Sequence, residues 1–321
     1  MSCDSALRVK CLGSTMLALA VLLAESTGAA AQMGKSNLPE GTKVHRNMSY
    51  VKDGHERNKL DLYLPDKADG PLPVIVWIHG GAWSGGSKDN PGQAVAFVKK
   101  GYAVASINYR LSQHSTFPAQ IEDCKAAVRW LRTNAKTYQL DPDHIGVWGA
   151  SAGGHLAALL GASGGVKELE GEGGNAEQSS RVQAVVDFFG PTDFLQMDAH
   201  AVKGAFLKHD PANSPESRLI GGPIQENVEK VKRANPIEYV KKDAPPFFIA
   251  HGEQDPLVPC HQSELLDAAL KRAKVEVTFQ KVSKAGHDGR EFNTDKMQTA
   301  IQEFFDKHLK AKPDGKAKNS P

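Results

Sequence analysis

Short apolar runs alternate with longer segments of helical periodicity along most of this 321-residue chain. Gly, Pro, Asn or Asp residues bound the short runs, as is typical of buried strands. We predict strands at Lys59–Leu64, Pro73–Ile78, Tyr102–Tyr109, His144–Trp148, Val182–Gly190, Pro245–Gly252 and Val275–Val282. The first of them alternates apolar and polar residues, which favours an antiparallel strand near the sheet edge. Because strands alternate with helices throughout, the pattern predicts an α/β fold with a mostly parallel sheet covered by helices on both faces.

The predicted helices lie between these strands or follow the last one. The longest is Phe117–Tyr138, and two others are predicted at Cys260–Lys274 and Thr294–Leu309. Two segments interrupt the alternation of strands and helices. Gly161–Ser180 is rich in glycine and glutamate and is predicted to be a solvated loop. Thr192–Ala244 is an insertion of roughly 50 residues between two predicted strands.

The composition favours one domain, predicted at residues 44–310, since 40% of the residues are hydrophobic and can form a sizeable core. The formal net charge is +2, and no arginine-rich patch is interleaved with aromatic residues. Nucleic acid is therefore not an expected partner. The oligomeric state is not determined by the sequence.

The first 31 residues are predicted to be a secretory signal peptide. Arg8 and Lys10 precede an apolar stretch, Met16–Ala24, and Ala29–Ala31 offers a small-residue cleavage site. A short membrane anchor is the alternative, but spanning a bilayer takes about 20 apolar residues, so we expect no stable membrane insertion. The sequence thus predicts export to the periplasm or the extracellular space after cleavage near Ala31. Residues 32–43 are predicted to be a polar lead-in, and residues 311–321 a disordered tail.

Two cysteines, Cys124 and Cys260, remain beyond the predicted signal peptide. An exported protein can form disulfides, so their pairing stays open. They lie in predicted helices of different crossovers, which favours unpaired thiols. No Cys/His spacing suggests zinc, and no metal site is expected.

The segment Gly149–Gly153 has the form Gly-x-Ser-x-Gly and joins a predicted strand to a helical segment. A serine in such a tight strand–turn–helix junction is exposed above the sheet, where it can act as a nucleophile. The motif has little specificity by itself, because glycine and serine are common. At a strand-to-helix junction it makes Ser151 a candidate catalytic nucleophile.

A serine nucleophile needs a base to take its proton and a carboxylate to orient that base. His287 lies in a glycine-flanked loop after one predicted strand, and Asp255 lies in a turn after another. Serine, acid and histidine therefore follow one another in the order that this type of site requires. Asp288, adjacent to His287, and Glu253 are the weaker alternatives for the acid.

The loop His79–Trp83, with the sequence HGGAW, follows a predicted strand and can supply backbone N–H groups to a developing oxyanion. The amide of Ala152, directly after the nucleophile, is a further candidate donor. His79 is interpreted as a residue that braces this loop. Trp83 either lines the substrate pocket or packs in the core.

Together, HGGAW, GASAG, Asp255 and His287 resemble the α/β-hydrolase superfamily. Within it, the chain resembles the hormone-sensitive-lipase-like carboxylesterases and the related feruloyl and acetylxylan esterases, from about Val44 to about Leu309. The resemblance implies cofactor-free hydrolysis of carboxylic esters through an acyl-serine intermediate. It also implies that the amides of Gly81, Ala82 and Ala152 form the oxyanion hole. Many lipase-like members have a third glycine where this chain has Ala82; a backbone amide exists there too, so the oxyanion hole is expected to be retained.

The same resemblance predicts that residues 192–244 form a small helical cap over the site. Gln225–Lys242 is heavily charged, which argues against a lid that meets a lipid surface. Small or polysaccharide-linked esters, such as acetyl or feruloyl esters, are therefore the expected substrates. Two alternatives remain: a serine peptidase resembling prolyl oligopeptidases, and a non-catalytic binding protein on a hydrolase scaffold.

Overall fold

A computed structural model describes residues 38–310. The predicted signal peptide (1–31), most of the polar lead-in and the tail 311–321 lie outside the described residues. Within the described range, no helix has both the length and the hydrophobicity needed to cross a bilayer.

Eight strands form one mixed sheet in the order β1-β2-β4-β3-β5-β6-β7-β8. Strands β3 to β8 are mutually parallel, whereas β2 is antiparallel to both β1 and β4. The strands are β1 (Thr42–Ser49), β2 (Lys59–Pro65), β3 (Leu72–Ile78), β4 (Ala103–Ile107), β5 (Leu140–Ala150), β6 (Ala184–Phe188), β7 (Phe247–Gly252) and β8 (Val277–Val282). The predicted mostly parallel α/β sheet is confirmed.

The edge strand β1 was not among the predicted strands. It begins at Thr42, inside the predicted lead-in, and most of its side chains are exposed or half-buried. An edge strand pairs on one side only, so it needs no continuous apolar run, and its sequence TKVHRNMS contains none. Because β1 has no apolar run, hydrophobic patterning did not predict a strand there.

Helices occupy the connections between the strands. The α-helices are α1 (Ala119–Thr133), α2 (Ala135–Tyr138), α3 (Ala152–Ala162), α4 (Pro215–Ile220), α5 (Val228–Ala234), α6 (His261–Arg272) and α7 (Asp295–Leu309). The 3₁₀ helices are Gly92–Lys100, Lys167–Leu169, Phe194–Gln196, Asp198–His200, Ile224–Glu226, Pro236–Tyr239 and Arg290–Asn293. The long helix predicted at Phe117–Tyr138 is divided at Asn134, whose side-chain amide donates to the Trp130 carbonyl at 2.9 Å.

The sheet is packed on both faces, as predicted. Along β3, Val74 and Val76 lie in the core shared with α1 and α3. The intervening Ile75 and Trp77 lie in a second core with α7 and the 3₁₀ helix Gly92–Lys100. Because side chains alternate across a strand, continuous apolar runs such as this one are what a sheet buried on both faces requires.

The two segments that interrupt the alternation of strands and helices, residues 161–180 and 192–244, differ in structure. Residues 192–244 contain only short helices, including α4 and α5, as predicted for the insertion. Beyond the end of α3 at Ala162, the segment predicted as a solvated loop contains the 3₁₀ helix Lys167–Leu169 and is anchored to α1. There the Glu170 carboxylate accepts hydrogen bonds from Lys125 at 2.8 Å and from Arg129 at 2.7 Å. Leu169 beside it is fully buried, so this part of the loop is packed and not solvated throughout.

Candidate active site

The register of the parallel strands brings the predicted site loops to one edge of the sheet. Ile78 of β3 is paired with Gly149 of β5, and Ala150 of β5 is paired with Phe188 of β6. The loops that follow β3 and β5 therefore start side by side. The loops after β7 and β8 emerge at the same edge, because all of these strands are parallel.

Ser151 occupies a sharp turn between β5 and α3, with φ 56° and ψ −124°. This left-handed φ is costly for a residue with a side chain and is characteristic of strained functional turns. A Cβ at Gly149 would lie 2.0 Å from the Gly153 carbonyl oxygen, and one at Gly153 would lie 2.1 Å from the Ile78 oxygen. Both glycines are therefore required by backbone contact, which explains their spacing around the serine.

The structure brings Ser151, His287 and Asp255 into one hydrogen-bonded series. The Ser151 hydroxyl donates to His287 Nε2 at 2.9 Å, and His287 Nδ1–H donates to Asp255 Oδ2 at 2.7 Å. The His287 side chain is 15% exposed, whereas that of Asp255 is fully buried. The serine and the imidazole thus face accessible space, while the carboxylate is shielded from water.

Asp255 is held by four donors. Its Oδ1 accepts the backbone N–H groups of Leu257 at 2.8 Å and Val258 at 2.9 Å. Its Oδ2 lies within 2.7 Å of His287 Nδ1 and 3.2 Å of His251 Nε2. Burial would raise the pKa of Asp255, but hydrogen bonds from His251 and His287, together with their charges, lower it to about 2. The carboxylate is therefore ionised across the neutral pH range.

The contact of His251 with Asp255 was not predicted. His251 is fully buried at the end of β7; its Nε2–H donates to the Val258 carbonyl at 2.8 Å, and its Nδ1 accepts the Ser263 hydroxyl at 2.7 Å. His251 therefore ties β7 and α6 to the acid turn. The sequence contained one indication of this role: a histidine four residues before the acid, at the end of an apolar strand. The weaker acid candidates, Asp288 and Glu253, are both exposed.

The loop after β3 presents backbone amides to the same region. Gly81 and Ala82 have φ values of 106° and 52°. Within residues 38–310, the N–H groups of Gly81, Ala82 and Ala152 have no protein acceptor. Ala82 and Ala152 line a cavity that Ser151 and His287 also line, whereas Gly81 does not. The loop after β3 and the first residue of α3 therefore have free N–H groups, and Ala82 and Ala152 border the cavity. Their role as oxyanion donors stays a prediction.

His79 braces this loop from behind. Its Nδ1–H donates to the Gly80 carbonyl at 2.7 Å, its Nε2 accepts from Arg57 at 3.2 Å, and its ring stacks on Tyr109. Burial lowers the pKa of His79 to about 4, which keeps the ring neutral. The bracing interpretation made from the sequence agrees with these contacts.

Trp83 both packs in the core and lines the cavity, so the two interpretations of it are compatible. Its indole N–H donates to His155 Nδ1 at 3.2 Å, and His155 Nε2–H donates to the Ala234 carbonyl at 2.7 Å. Burial lowers the pKa of His155 to about 4. These two bonds connect the loop after β3, the nucleophile helix α3 and the insertion helix α5.

The cavity beside Ser151 measures about 70 Å³. Besides Ser151 and His287, the cavity is lined by Ala82, Trp83, Ala152 and Pro191, by the insertion residues Leu207, His209, Pro215 and Glu216, and by Leu257 and Val258 of the acid turn. The insertion therefore contributes part of the wall of the space available to a substrate.

Among the described residues, three potential metal ligands lie close together near the start of β2, and two cysteines are present. His55, Glu56 and His114 lie close enough together to share an ion. However, His55 Nδ1 accepts the backbone N–H of Arg57, and His114 Nδ1 accepts that of Leu111. Each neutral imidazole ring therefore has its proton on Nε2, the other nitrogen to which a metal could bind. Cys124 and Cys260 are free thiols.

A serine on a strand–turn–helix junction, hydrogen-bonded through a histidine to a buried aspartate at the carboxyl edge of a parallel sheet, defines the α/β-hydrolase class. The chain belongs to the BD-FAE family, whose model matches residues 60–270. This confirms the superfamily that the sequence motifs suggested.

Among curated relatives, the chain is 36% identical over 276 residues to Esterase LipQ of Mycobacterium tuberculosis, covering 82% of the chain and 63% of the relative. It is 32% identical over 248 residues to the Probable carboxylic ester hydrolase LipM of the same organism, covering 75% of the chain and 55% of the relative. The chain thus spans less than two-thirds of the length of these relatives.

Solved structures show the same fold. A truncated carbohydrate esterase from gut microbiota superposes with a TM-score of 0.78 at 35% identity, covering 84% of this chain and 98% of that one. A bifunctional GH43-CE protein of Bacteroides eggerthii superposes with a TM-score of 0.76 at 38% identity, covering 82% of this chain and 35% of that one.

Proposed function

We propose that this protein is a serine esterase that hydrolyses carboxylic esters through an acyl-serine intermediate. The observation that carries the proposal is the unbroken hydrogen-bonded series from Ser151 through His287 to Asp255, beside a cavity partly lined by the insertion. The relatives named esterases support the same reaction class.

In the proposed mechanism, Ser151 Oγ attacks the ester carbonyl while His287 Nε2 takes its proton. His287 then donates that proton to the oxygen of the leaving alcohol. Asp255 holds the proton of His287 on Nδ1 and stabilises the imidazolium. In the second half, His287 removes a proton from water, the hydroxide attacks the acyl carbonyl, and the released proton returns to Ser151.

The oxyanion is assigned to backbone donors. Ala82 and Ala152 border the cavity, and their N–H groups have no competing acceptor among the described residues. The N–H of Gly81 is the third proposed donor. Each preorganised donor of this kind contributes on the order of 3 kcal/mol to the stability of the transition state.

The size of the cavity favours a small acyl group. At about 70 Å³ it is roughly half of the 150 Å³ cavity that accommodates benzene in a packed core. An acetyl group fits this space, whereas the substituted aromatic ring of a feruloyl group exceeds it. One structural neighbour is described as a carbohydrate esterase and another as a bifunctional GH43-CE protein, which supports acetylated sugars or polysaccharides as substrates.

A panel of esters tests this substrate class. We expect kcat/KM for p-nitrophenyl acetate to exceed that for the dodecanoate, and acetylated xylan to be cleaved in preference to methyl ferulate, each by at least about 10-fold. Peptide p-nitroanilides, which a prolyl-oligopeptidase-like enzyme would cleave, should be inert. Equal or faster cleavage of the feruloyl or long-chain esters would contradict the assignment.

We further propose that the chain is exported to the periplasm or the extracellular space. Support comes from the charged, apolar and small-residue sections of residues 1–31. Mass spectrometry of protein recovered from the periplasm or the medium should show a mature N-terminus near Gln32. Recovery of the uncleaved chain only from the cytoplasm would contradict export.

A further inference from the structure

A buried ion pair lies in the wall of the cavity beside Ser151. His209 Nδ1 is 3.0 Å from Glu216 Oε1, and the two side chains are 2% and 4% exposed. Both residues belong to the insertion, and both line the cavity together with Ser151 and His287. The proposed catalytic mechanism gives this pair no role.

The pair is firmly positioned. The backbone N–H groups of His209 and Asp210 donate to the two carboxylate oxygens of Asp198, at 3.0 and 3.1 Å. Glu216 lies in the first turn of α4, whose N-terminus is capped by Ser214 Oγ accepting the Ser217 N–H at 3.0 Å. Both members of the pair therefore sit on segments with local hydrogen-bonded support.

One oxygen of this carboxylate lacks a partner. Glu216 Oε2 is buried and accepts no hydrogen bond from any residue in the range 38–310. An unsatisfied buried oxygen of a charged group costs a folded protein at least about 1–3 kcal/mol, and native structures rarely retain one without a reason. Since Glu216 borders the cavity, a donor on a bound substrate is a direct way to satisfy it.

The charge balance indicates the kind of donor. His209 Nδ1 lies 3.0 Å from Glu216 Oε1 but makes no hydrogen bond of good geometry. Burial would lower the pKa of His209, but the close contact with Glu216 and the charges of Glu216 and Asp198 raise it above its ordinary value. The raised pKa favours the cationic form of His209, whose charge balances that of the carboxylate. A neutral hydroxyl therefore suits Oε2 better than a substrate cation, which would bring an uncompensated charge into a buried site.

We propose that Glu216 Oε2 accepts a hydrogen bond from a free hydroxyl of the substrate, close to the scissile ester, and so selects hydroxylated esters over apolar ones. This inference rests on the proposed esterase function. The hydroxyl can belong to the alcohol, as in a partly acetylated sugar, or to the acyl group, as in a 2-hydroxy acid.

Two pairs of substrates of matched size distinguish a hydroxyl on the alcohol from a hydroxyl on the acyl group. 2-Hydroxyethyl acetate is compared with propyl acetate, and ethyl glycolate with ethyl propionate. In the native protein we expect kcat/KM to favour the hydroxylated member of one pair by at least about 10-fold. In Glu216→Gln the amide keeps the size of the side chain but can present a donor in place of the free acceptor. That preference, taken as the ratio of kcat/KM within each pair, should then fall about 10- to 100-fold, as expected for a lost hydrogen bond to a charged group.

Glu226→Gln is the matched control, because it makes the same change at an exposed position of the same insertion. It should leave both ratios unaltered. The proposal is overturned if the native protein prefers neither hydroxylated ester, a result that does not depend on any variant folding. It is also overturned if Glu216→Gln cleaves propyl acetate normally and retains the full preference. Failure of the esterase function itself would look different, since no Ser151-dependent hydrolysis of propyl acetate would then be seen.

Discussion

Replacing Ser151 with alanine should lower kcat for p-nitrophenyl acetate by about a million-fold, which leaves a rate close to the background. Without the hydroxyl, His287 has no proton to accept and no acyl-enzyme can form. Loss of a catalytic serine in other enzymes with this type of triad has an effect of about this size. The fold should persist, because the strained turn is held by Gly149 and Gly153 and not by the serine side chain.

Initial rates and labelling by a fluorophosphonate probe measure this effect together. The native protein should be labelled and Ser151→Ala should not. Ser283→Ala provides the control, since Ser283 is exposed in the loop that leads to His287. It should retain both labelling and rate. A Ser151→Ala variant with activity within 10-fold of the native protein would exclude Ser151 as the nucleophile.

The parts of the site that could be predicted are those encoded locally. The turn around Ser151 needs small residues at fixed spacing, because backbone atoms of the next segment occupy the space where Cβ atoms would lie. Asp255 and His287 each follow an apolar strand, and parallel strands bring the loops after them to one edge. Strand order and chain order together were therefore sufficient to group the three residues.

The parts that were not predicted depend on how the segments fold together, even where the residues lie close in the sequence. His251 belongs to an apolar strand, and only the fold shows its ring beside the Asp255 carboxylate. His209 and Glu216 lie in a polar insertion without helical periodicity, where nothing in the sequence distinguishes them from solvated side chains. Their burial follows from the way the insertion closes on the sheet edge, a tertiary effect that hydrophobic patterning does not report.

The oxyanion donors could be predicted only in part. Glycines after β3 predicted free amides, and the positive φ values of Gly81 and Ala82 agree with a loop whose N–H groups turn inward. Ala82 borders the cavity, and an alanine carries the same backbone N–H as a third glycine would. The assignment of all three donors remains a prediction.

Replacing Asp255 with asparagine should lower kcat for p-nitrophenyl acetate by about 10,000-fold, with the fold retained. Oδ1 accepts two backbone N–H groups, so the asparagine oxygen will occupy that position and its NH₂ group will replace Oδ2. His287 Nδ1 then faces a donor and must act as an acceptor. The imidazole proton therefore moves to Nε2, the nitrogen that has to accept the Ser151 proton.

The same geometry explains why the loss should be large yet the protein should still fold. His251 Nε2–H also faces the new NH₂ group, but it keeps the Val258 carbonyl as its acceptor at 2.8 Å. Circular dichroism should therefore show native secondary structure. Asp288→Asn is the control, since it removes an exposed carboxylate adjacent to His287 and should change kcat less than about twofold. If Asp288→Asn abolished activity while Asp255→Asn did not, the acid would be Asp288, and the hydrogen bond between Asp255 and His287 would have only a structural role.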